Sequence, residues 1–99
     1  MSEIQVVYWR EIPAQVRARR GRERLARPLS SRFQEAIDAA AMRAGMSGSD
    51  TYLAEWRAGP WEQVDGTLEE AAERRIAEIE RGYDPARLQK LTASGGLDA

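Results

Sequence analysis

Cysteine and histidine are both absent from this chain of 99 residues. Without cysteine there is no disulfide, no thiolate nucleophile and no cysteine-ligated zinc or iron–sulfur cluster within the chain. Without histidine the chain lacks the commonest general base near neutral pH and the commonest transition-metal ligand. Carboxylates, tyrosines and the single lysine, Lys90, remain for proton transfer. We therefore expect a protein that is not an enzyme, with no catalytic residues, no metal and no cofactor.

Long apolar runs are also missing. The longest, residues 6–9 and 39–42, have four residues each, far fewer than the roughly 18 needed to cross a bilayer. The first residues resemble no secretory signal, since neither a basic segment nor an apolar stretch is present. Hydrophobic residues make up 42% of the chain and charged residues 31%, which is typical of a folded domain. We expect a soluble, cytoplasmic protein without a membrane segment.

The first part of the chain has the pattern of β-structure. Residues 4–9 are rich in β-branched and aromatic side chains and predict a strand that stops at a turn before Pro13. Gly21 can adopt the positive φ of a tight reversal, so residues 16–26 predict a charged hairpin. Alternation over residues 51–57 predicts another strand after a loop at 47–50. Residues 61–64 then predict a short return strand.

Helices are predicted in the rest of the chain. One begins at a capping box formed by Ser31 and Gln34 and ends at Gly45. A second begins at the Thr67 capping box and runs to about residue 81, and Asp84 precedes a short third helix. The fold class is thus α+β, with a small, mostly antiparallel sheet of three to five strands covered by two main helices and a short C-terminal helix. We expect one domain over residues 1–93 and a flexible tail at 94–99.

Charge is strongly divided along the chain. Residues 1–34 carry a net charge of +5 and residues 35–99 carry −6, although the whole chain is only −1. Clustered arginine can bind phosphate or carboxylate bidentately, so the arginines of the hairpin form a candidate binding site. An acidic protein partner and a nucleic acid are both possible ligands. Internal pairing with the carboxylates of residues 69–80, or plain solvation, is the structural alternative.

Aromatic residues supply the second part of the candidate site. Adjacent Tyr8 and Trp9 must point to opposite faces of a strand, so one of them lies on the less buried face. Core packing of most aromatic side chains is the alternative. Acidic residues between positions 62 and 80 have no metal-ligand spacing and predict a solvated helix face. The candidate partner-binding residues are Trp9, Arg17, Arg19, Arg20, Arg22, Arg24, Arg27 and Trp56.

Several strings carry a family resemblance: VYWREIPAQV at 7–16, RFQEAID at 32–38, AMR at 41–43 and YLAEW at 52–56. With them the chain, over residues 4–91, resembles a small bacterial family called the virulence factor domain. The resemblance implies no reaction, cofactor or catalytic residue, because the family name describes a phenotype. It implies a module that works with partners, and more weakly an auxiliary role beside folate and corrinoid methyl-transfer enzymes of one-carbon metabolism.

Together these observations predict a noncatalytic accessory or interaction module. The expected partner is another protein, which we expect to be acidic. An auxiliary subunit of a methyl-transfer system and a nucleic-acid-binding protein that uses the arginine hairpin are the two alternatives. An exposed row of arginines beside a tryptophan would favour binding, whereas arginines paired with residues 69–80 would favour a purely structural role.

Overall fold

A computed structural model describes residues 1–46 and 50–97 of the chain. These residues form five strands and four helices, which confirms the α+β class. In chain order the elements are β1 (Ser2–Trp9), β2 (Ile12–Arg20), β3 (Glu23–Pro28), α1 (Ser31–Arg43), α2 (Asp50–Ala54), β4 (Trp56–Ala58), β5 (Glu62–Val64), α3 (Leu68–Gly82) and α4 (Pro85–Ala93).

The sheet is built around β1, and all its strand pairs are antiparallel. The strand order is β3-β2-β1-β4, and β5 pairs with the same edge of β1 as β4 does. A shift of register between Val7 and Tyr8 lets Pro13 lie inside β2, opposite Tyr8. Proline is tolerated at such an irregularity because it cannot donate to a regular ladder. The predicted hairpin is confirmed, with Gly21 at a φ of 60° between β2 and β3.

Two strand predictions were wrong in part. The segment 51–57 begins as the helix α2, and only its end enters the three-residue strand β4. Tyr52 stacks on Trp9, and its carbonyl accepts the indole N–H at 2.9 Å, so a tertiary contact overrides the local alternation. Strand β5 does not return along β4. The amide of Gly59 donates to the carbonyl of Val6, which keeps the chain on the edge of β1.

Alternating side chains of β1 enter two separate cores. Ile4 and Val6 pack with Leu68 and Ala72 of α3 on one face of the sheet. Trp9 belongs by alternation to the opposite face. It packs there with Phe33 of α1 and with residues of α4. The burial of both faces at the end of β1 explains why residues 6–9 are all apolar, whereas residues 3–6 alternate.

The helix termini follow the predicted signals at three of four sites. Gly45 follows α1 with a φ of 72°, and the next amide, of Met46, bonds to the carbonyl of Ala41. The Thr67 capping box opens α3, and Asp84 caps α4. The capping box predicted at Ser31 was wrong, because the N-cap of α1 is Ser30 and its side chain makes no cap hydrogen bond.

Glu80 of α3 binds the N-cap residue of α1 instead. The amide and hydroxyl of Ser30 donate to its two carboxylate oxygens at 2.7 and 2.9 Å, and Arg32 forms an ion pair with it at 3.1 Å. Partial burial raises the pKa of Glu80, but the hydrogen bonds from Ser30 and Arg32 outweigh this effect and leave the pKa below its ordinary value. The start of α1 is thus fixed by a helix 50 residues further along the chain.

The C-terminal segment packs against the rest of the domain up to Gly96. Gly95 and Gly96 are buried. The carbonyl of Gly96 accepts the amide of Glu11 at 2.8 Å, and the carbonyl of Gly95 accepts Nη1 of Arg10 at 3.0 Å. The segment therefore packs over the β1–β2 turn. Gly95 and Gly96 thus do not belong to a flexible tail, which was expected for residues 94–99. Residues 98 and 99 of that tail, and residues 47–49 of the predicted loop, lie outside the described residues.

Candidate functional site

One face of the sheet is open where β1, β2 and β3 run side by side. The strand registers place three cross-strand rows on it, and the described helices leave the first two largely uncovered. We call these two rows, together with Trp61 from the β4–β5 connection, the arginine face. The first row is Glu3, Arg19 and Arg24, the second is Gln5, Arg17 and Ala26, and the third is Val7, Gln15 and Pro28.

The arginine face carries uncompensated positive charge. Arg19 is neutralised by Glu3, at 2.8 Å between Nε and Oε1. Arg17 and Arg24 are exposed. In the described part of the chain Arg17 donates to Oε1 of Gln5 at 3.4 Å, and Arg24 donates to backbone carbonyls. Since these acceptors are neutral, two guanidinium groups remain available to bind a carboxylate or a phosphate.

Two shallow grooves, each of about 380 Å³, open on this side of the sheet. Arg17 lines both grooves and therefore stands between them. Half-buried tryptophans line each groove, Trp61 the first and Trp56 the second. The guanidinium of Arg19 lies over the Trp61 ring at 3.9 Å, a cation–π contact that holds the indole beside the arginines. Exposed arginine beside half-buried tryptophan is typical of residues that dominate protein interfaces.

The predicted site residues do not all meet at this face. Arg17, Arg19 and Arg24 lie on it. Arg20 and Arg27 point by alternation to the other face, and Arg22 lies in the turn. Trp56 lines the neighbouring groove. Trp9 is not part of the candidate surface, because it is 0% exposed and stacks on Tyr52. Its neighbour Tyr8 is the half-buried member of the pair.

Two members of the surface were missed by the sequence prediction. Trp61 was read as the start of a short strand and was not among the predicted partner-binding residues, because no local signal shows that the β4–β5 connection passes beside the hairpin. Gln5 was read as part of a strand. Its side chain is buried, donates to the carbonyl of Gly59 at 3.0 Å and accepts from Arg17. The alternation of residues 4–9 could have placed Gln5 on the face opposite Ile4 and Val6.

Within residues 1–46 and 50–97, no ion pair joins an arginine of the hairpin to a carboxylate of α3. The acidic residues of that region have other partners, as when Arg75 bridges Glu62 at 2.8 Å and Glu78 at 3.3 Å. The hydrogen bond to Glu62 is the main cause that raises the pKa of Arg75. Internal pairing with α3 therefore does not account for the hairpin arginines.

The described residues contain no group of three or more Asp or Glu side chains placed to hold a metal ion. In the same part of the chain, no helix is long and apolar enough to cross a membrane.

Fold and surface together define a small α+β domain with one open, arginine-lined sheet face. The family model described as Virulence factor matches residues 7–92, and the chain belongs to that family. No curated protein and no solved structure matches the chain.

Proposed function

We propose that this protein is a noncatalytic interaction module that binds an acidic segment of a partner protein on the arginine face. The observation that carries the proposal is the exposed pair Arg17 and Arg24 beside Trp61, without a carboxylate partner among the described residues. Arginine and tryptophan are enriched among the residues that contribute most to binding energy. Carboxylates are the protein groups that a guanidinium fork binds most strongly.

A nucleic acid is the competing ligand, and two features of the surface disfavour it. The net charge of the chain is −1, whereas nucleic-acid-binding domains gain most of their affinity from a basic excess. The pairing of Arg19 with Glu3 also leaves Arg17 and Arg24 as the two uncompensated cations of the arginine face. A phosphate backbone gains affinity from many cations in a row, whereas a short acidic segment can bind Arg17 and Arg24 locally.

Affinity capture with the tagged protein tests this function. The test variant is Arg17→Gln with Arg24→Gln. The matched control is Arg43→Gln with Arg81→Gln, which removes the same charge from exposed positions on α1 and α3. We expect one stoichiometric protein with an acidic segment, retained by the control, lost by the test variant and weakened by salt.

Other outcomes contradict the proposal. Equal recovery by both variants would show that the arginine face is not the binding surface. Nuclease-sensitive RNA or DNA in place of a protein would favour the nucleic-acid alternative. The identity of a recovered protein would also test the expected link to methyl-transfer enzymes, which rests on the family resemblance alone.

A further inference from the structure

The arginine face is bounded by β3, and β3 has a neighbour on one side only. Within the described residues the sheet ends at this strand. Five of its six residues are exposed. The outer edge of such a strand presents backbone N–H and C=O groups without strand partners. This edge is therefore a second feature that can take part in binding, independent of the arginine side chains.

The hairpin fixes which backbone groups point outward. Arg20 and Glu23 flank a two-residue turn and form the first hydrogen-bonded pair. Alternation from that pair directs the amides and carbonyls of Arg24 and Ala26 away from β2. One contact agrees with this orientation, since Nη1 of Arg27 reaches the Ala26 carbonyl at 3.4 Å. Arg24 thus offers an outward backbone and a cationic side chain at the same position.

A second copy of the chain is a poor occupant of this edge. In the antiparallel register that pairs Arg24 with Arg24 of the other copy, two guanidinium groups lie directly opposite each other. Like charges placed opposite each other in a sheet are destabilising. An acidic strand reverses the sign of the same interaction and makes it favourable.

We infer that the acidic segment binds as an additional antiparallel strand along the outer edge of β3, with alternate carboxylates facing Arg24 and Arg17. Backbone hydrogen bonds to Arg24 and Ala26 supply affinity, and the arginine side chains select carboxylates. The inference rests on the proposed function and adds the geometry of binding. It predicts that recognition depends on the backbone of the ligand as well as on its charge.

The geometry can be tested with a fluorescein-labelled peptide of four alternating Glu–Thr pairs, measured by fluorescence polarisation. In an antiparallel pair, the residue opposite Arg24 points its own N–H and C=O toward β3 and its side chain to the same face as Arg24. That residue is a glutamate in the inferred register. N-methylation of the glutamate amides therefore blocks pairing, whereas N-methylation of the threonine amides leaves it intact.

On the protein side, Ala26→Pro removes one outward donor and leaves every charge unchanged. Proline is compatible with an edge strand where the missing N–H faced solvent, and Ala26→Val is the control that keeps the N–H. Loss of two backbone hydrogen bonds corresponds to roughly tenfold weaker binding. We expect this loss for the glutamate-methylated peptide and roughly threefold weaker binding for Ala26→Pro, which removes one hydrogen bond. The two controls should change little.

The outcomes separate the geometry from the function. Equal binding of both methylated peptides, with binding still lost in Arg17→Gln and Arg24→Gln, would overturn strand addition and keep the proposed function. No binding of the unmodified peptide at about 1 mM would also overturn the inferred geometry, while the affinity capture decides the function by itself. If Ala26→Pro does not fold, the two methylated peptides still give the answer with the unaltered protein.

Discussion

The sheet has two tight turns of the same length, and their surroundings differ completely. At the β1–β2 turn, Trp9 and Ile12 are 0% exposed, and Gly96, near the end of the chain, packs against the indole. At the β2–β3 turn, Arg20 and Arg22 are exposed, and the flanking strands carry the arginine face. We call the first turn the closed end of the sheet. The second is the open end, where the arginine face is exposed while the opposite face packs on α3.

The difference arises from what returns to cover each turn. Helices α1 and α4 and residues 95–96 come back to the first turn from distant parts of the chain. At the second turn the described residues provide no such cover. The side chains around the first turn therefore contribute to stability, whereas the arginine face at the second turn is available for binding. Substitutions around the first turn should affect stability, and substitutions on the arginine face should affect binding.

Removal of a tryptophan from each end tests this division most strongly. Trp9→Ala deletes a fully buried ring and should lower the free energy of unfolding by about 3 to 5 kcal/mol. Trp61→Ala should lower it by less than about 1 kcal/mol, because the side chain is half-exposed. Urea denaturation of both variants measures the difference. Similar losses in the two variants would contradict a stability concentrated at the closed end.

A methyl group at Gly96 probes the closure of the first turn. Gly96 has a φ of 88°, and an added Cβ would lie 2.9 Å from Cζ3 of Trp9. Gly96→Ala should cost about 2 to 4 kcal/mol from backbone strain and overpacking. Gly82→Ala is the control, since an added Cβ there meets nothing within 4 Å. Equal thermal stability of the two variants would show that the C-terminal segment does not pack on Trp9.

Glu80→Gln removes the negative charge on α3 that binds the N-terminus of α1. We expect a loss of about 1 to 3 kcal/mol at pH 7, because charged hydrogen bonds to Ser30 and Arg32 are weakened. Glu73→Gln is the control at an exposed position of the same helix, with a change within about 0.5 kcal/mol. Chemical denaturation of both variants measures their free energies of unfolding.

The effect of Glu80 also depends on pH. Its pKa in the folded protein is lowered from 4.5, so its stabilisation is fully present above that value and is lost as the pH falls through the folded pKa. The difference in free energy of unfolding between the unaltered protein and Glu80→Gln should stay constant from pH 7 to about 5 and then shrink. A difference that grows toward low pH would contradict the hydrogen bonds assigned between Glu80, Ser30 and Arg32.

The smallest stability effect is expected at the open end. Arg17→Gln and Arg24→Gln remove exposed groups that donate only to neutral acceptors in the described part of the chain. Each should change the free energy of unfolding by no more than about 0.5 kcal/mol. Thermal melting beside the binding assay measures both properties. Unfolding of the double variant would mean that the arginines stabilise the domain instead of serving recognition.

Local signals were sufficient for much of the fold. Gly21 fixed a reversal, Thr67 and Glu70 formed the predicted capping box, and Gly45 ended α1. Each signal acts within a few residues, so its physical cause is present in the sequence itself. Alternation at 51–57 was misleading because the stacking of Tyr52 on Trp9 joins residues 43 positions apart. No pattern within one segment contains that contact.

The candidate site was predictable in composition and not in arrangement. The arginine hairpin was visible in the sequence, and three of its arginines lie on one face. The burial of Trp9 and the position of Trp61 depend on which elements pack over the sheet. The sequence prediction therefore located the hairpin, but it could not show that Trp9 is buried and that Trp61 lies beside the arginines.

By itself the sequence determined the class of the fold, the hairpin and most helix ends, because turn residues, caps and periodicity act over short distances. Only the tertiary structure decided that Glu80 binds the N-terminus of α1 and that Gly96 covers the first turn. It also decided that the hairpin arginines are not paired with the carboxylates of α3 in the described residues. These features depend on the relative placement of distant elements. That placement is set by the burial of Ile4 and Val6 on one side of β1 and of Trp9 on the other.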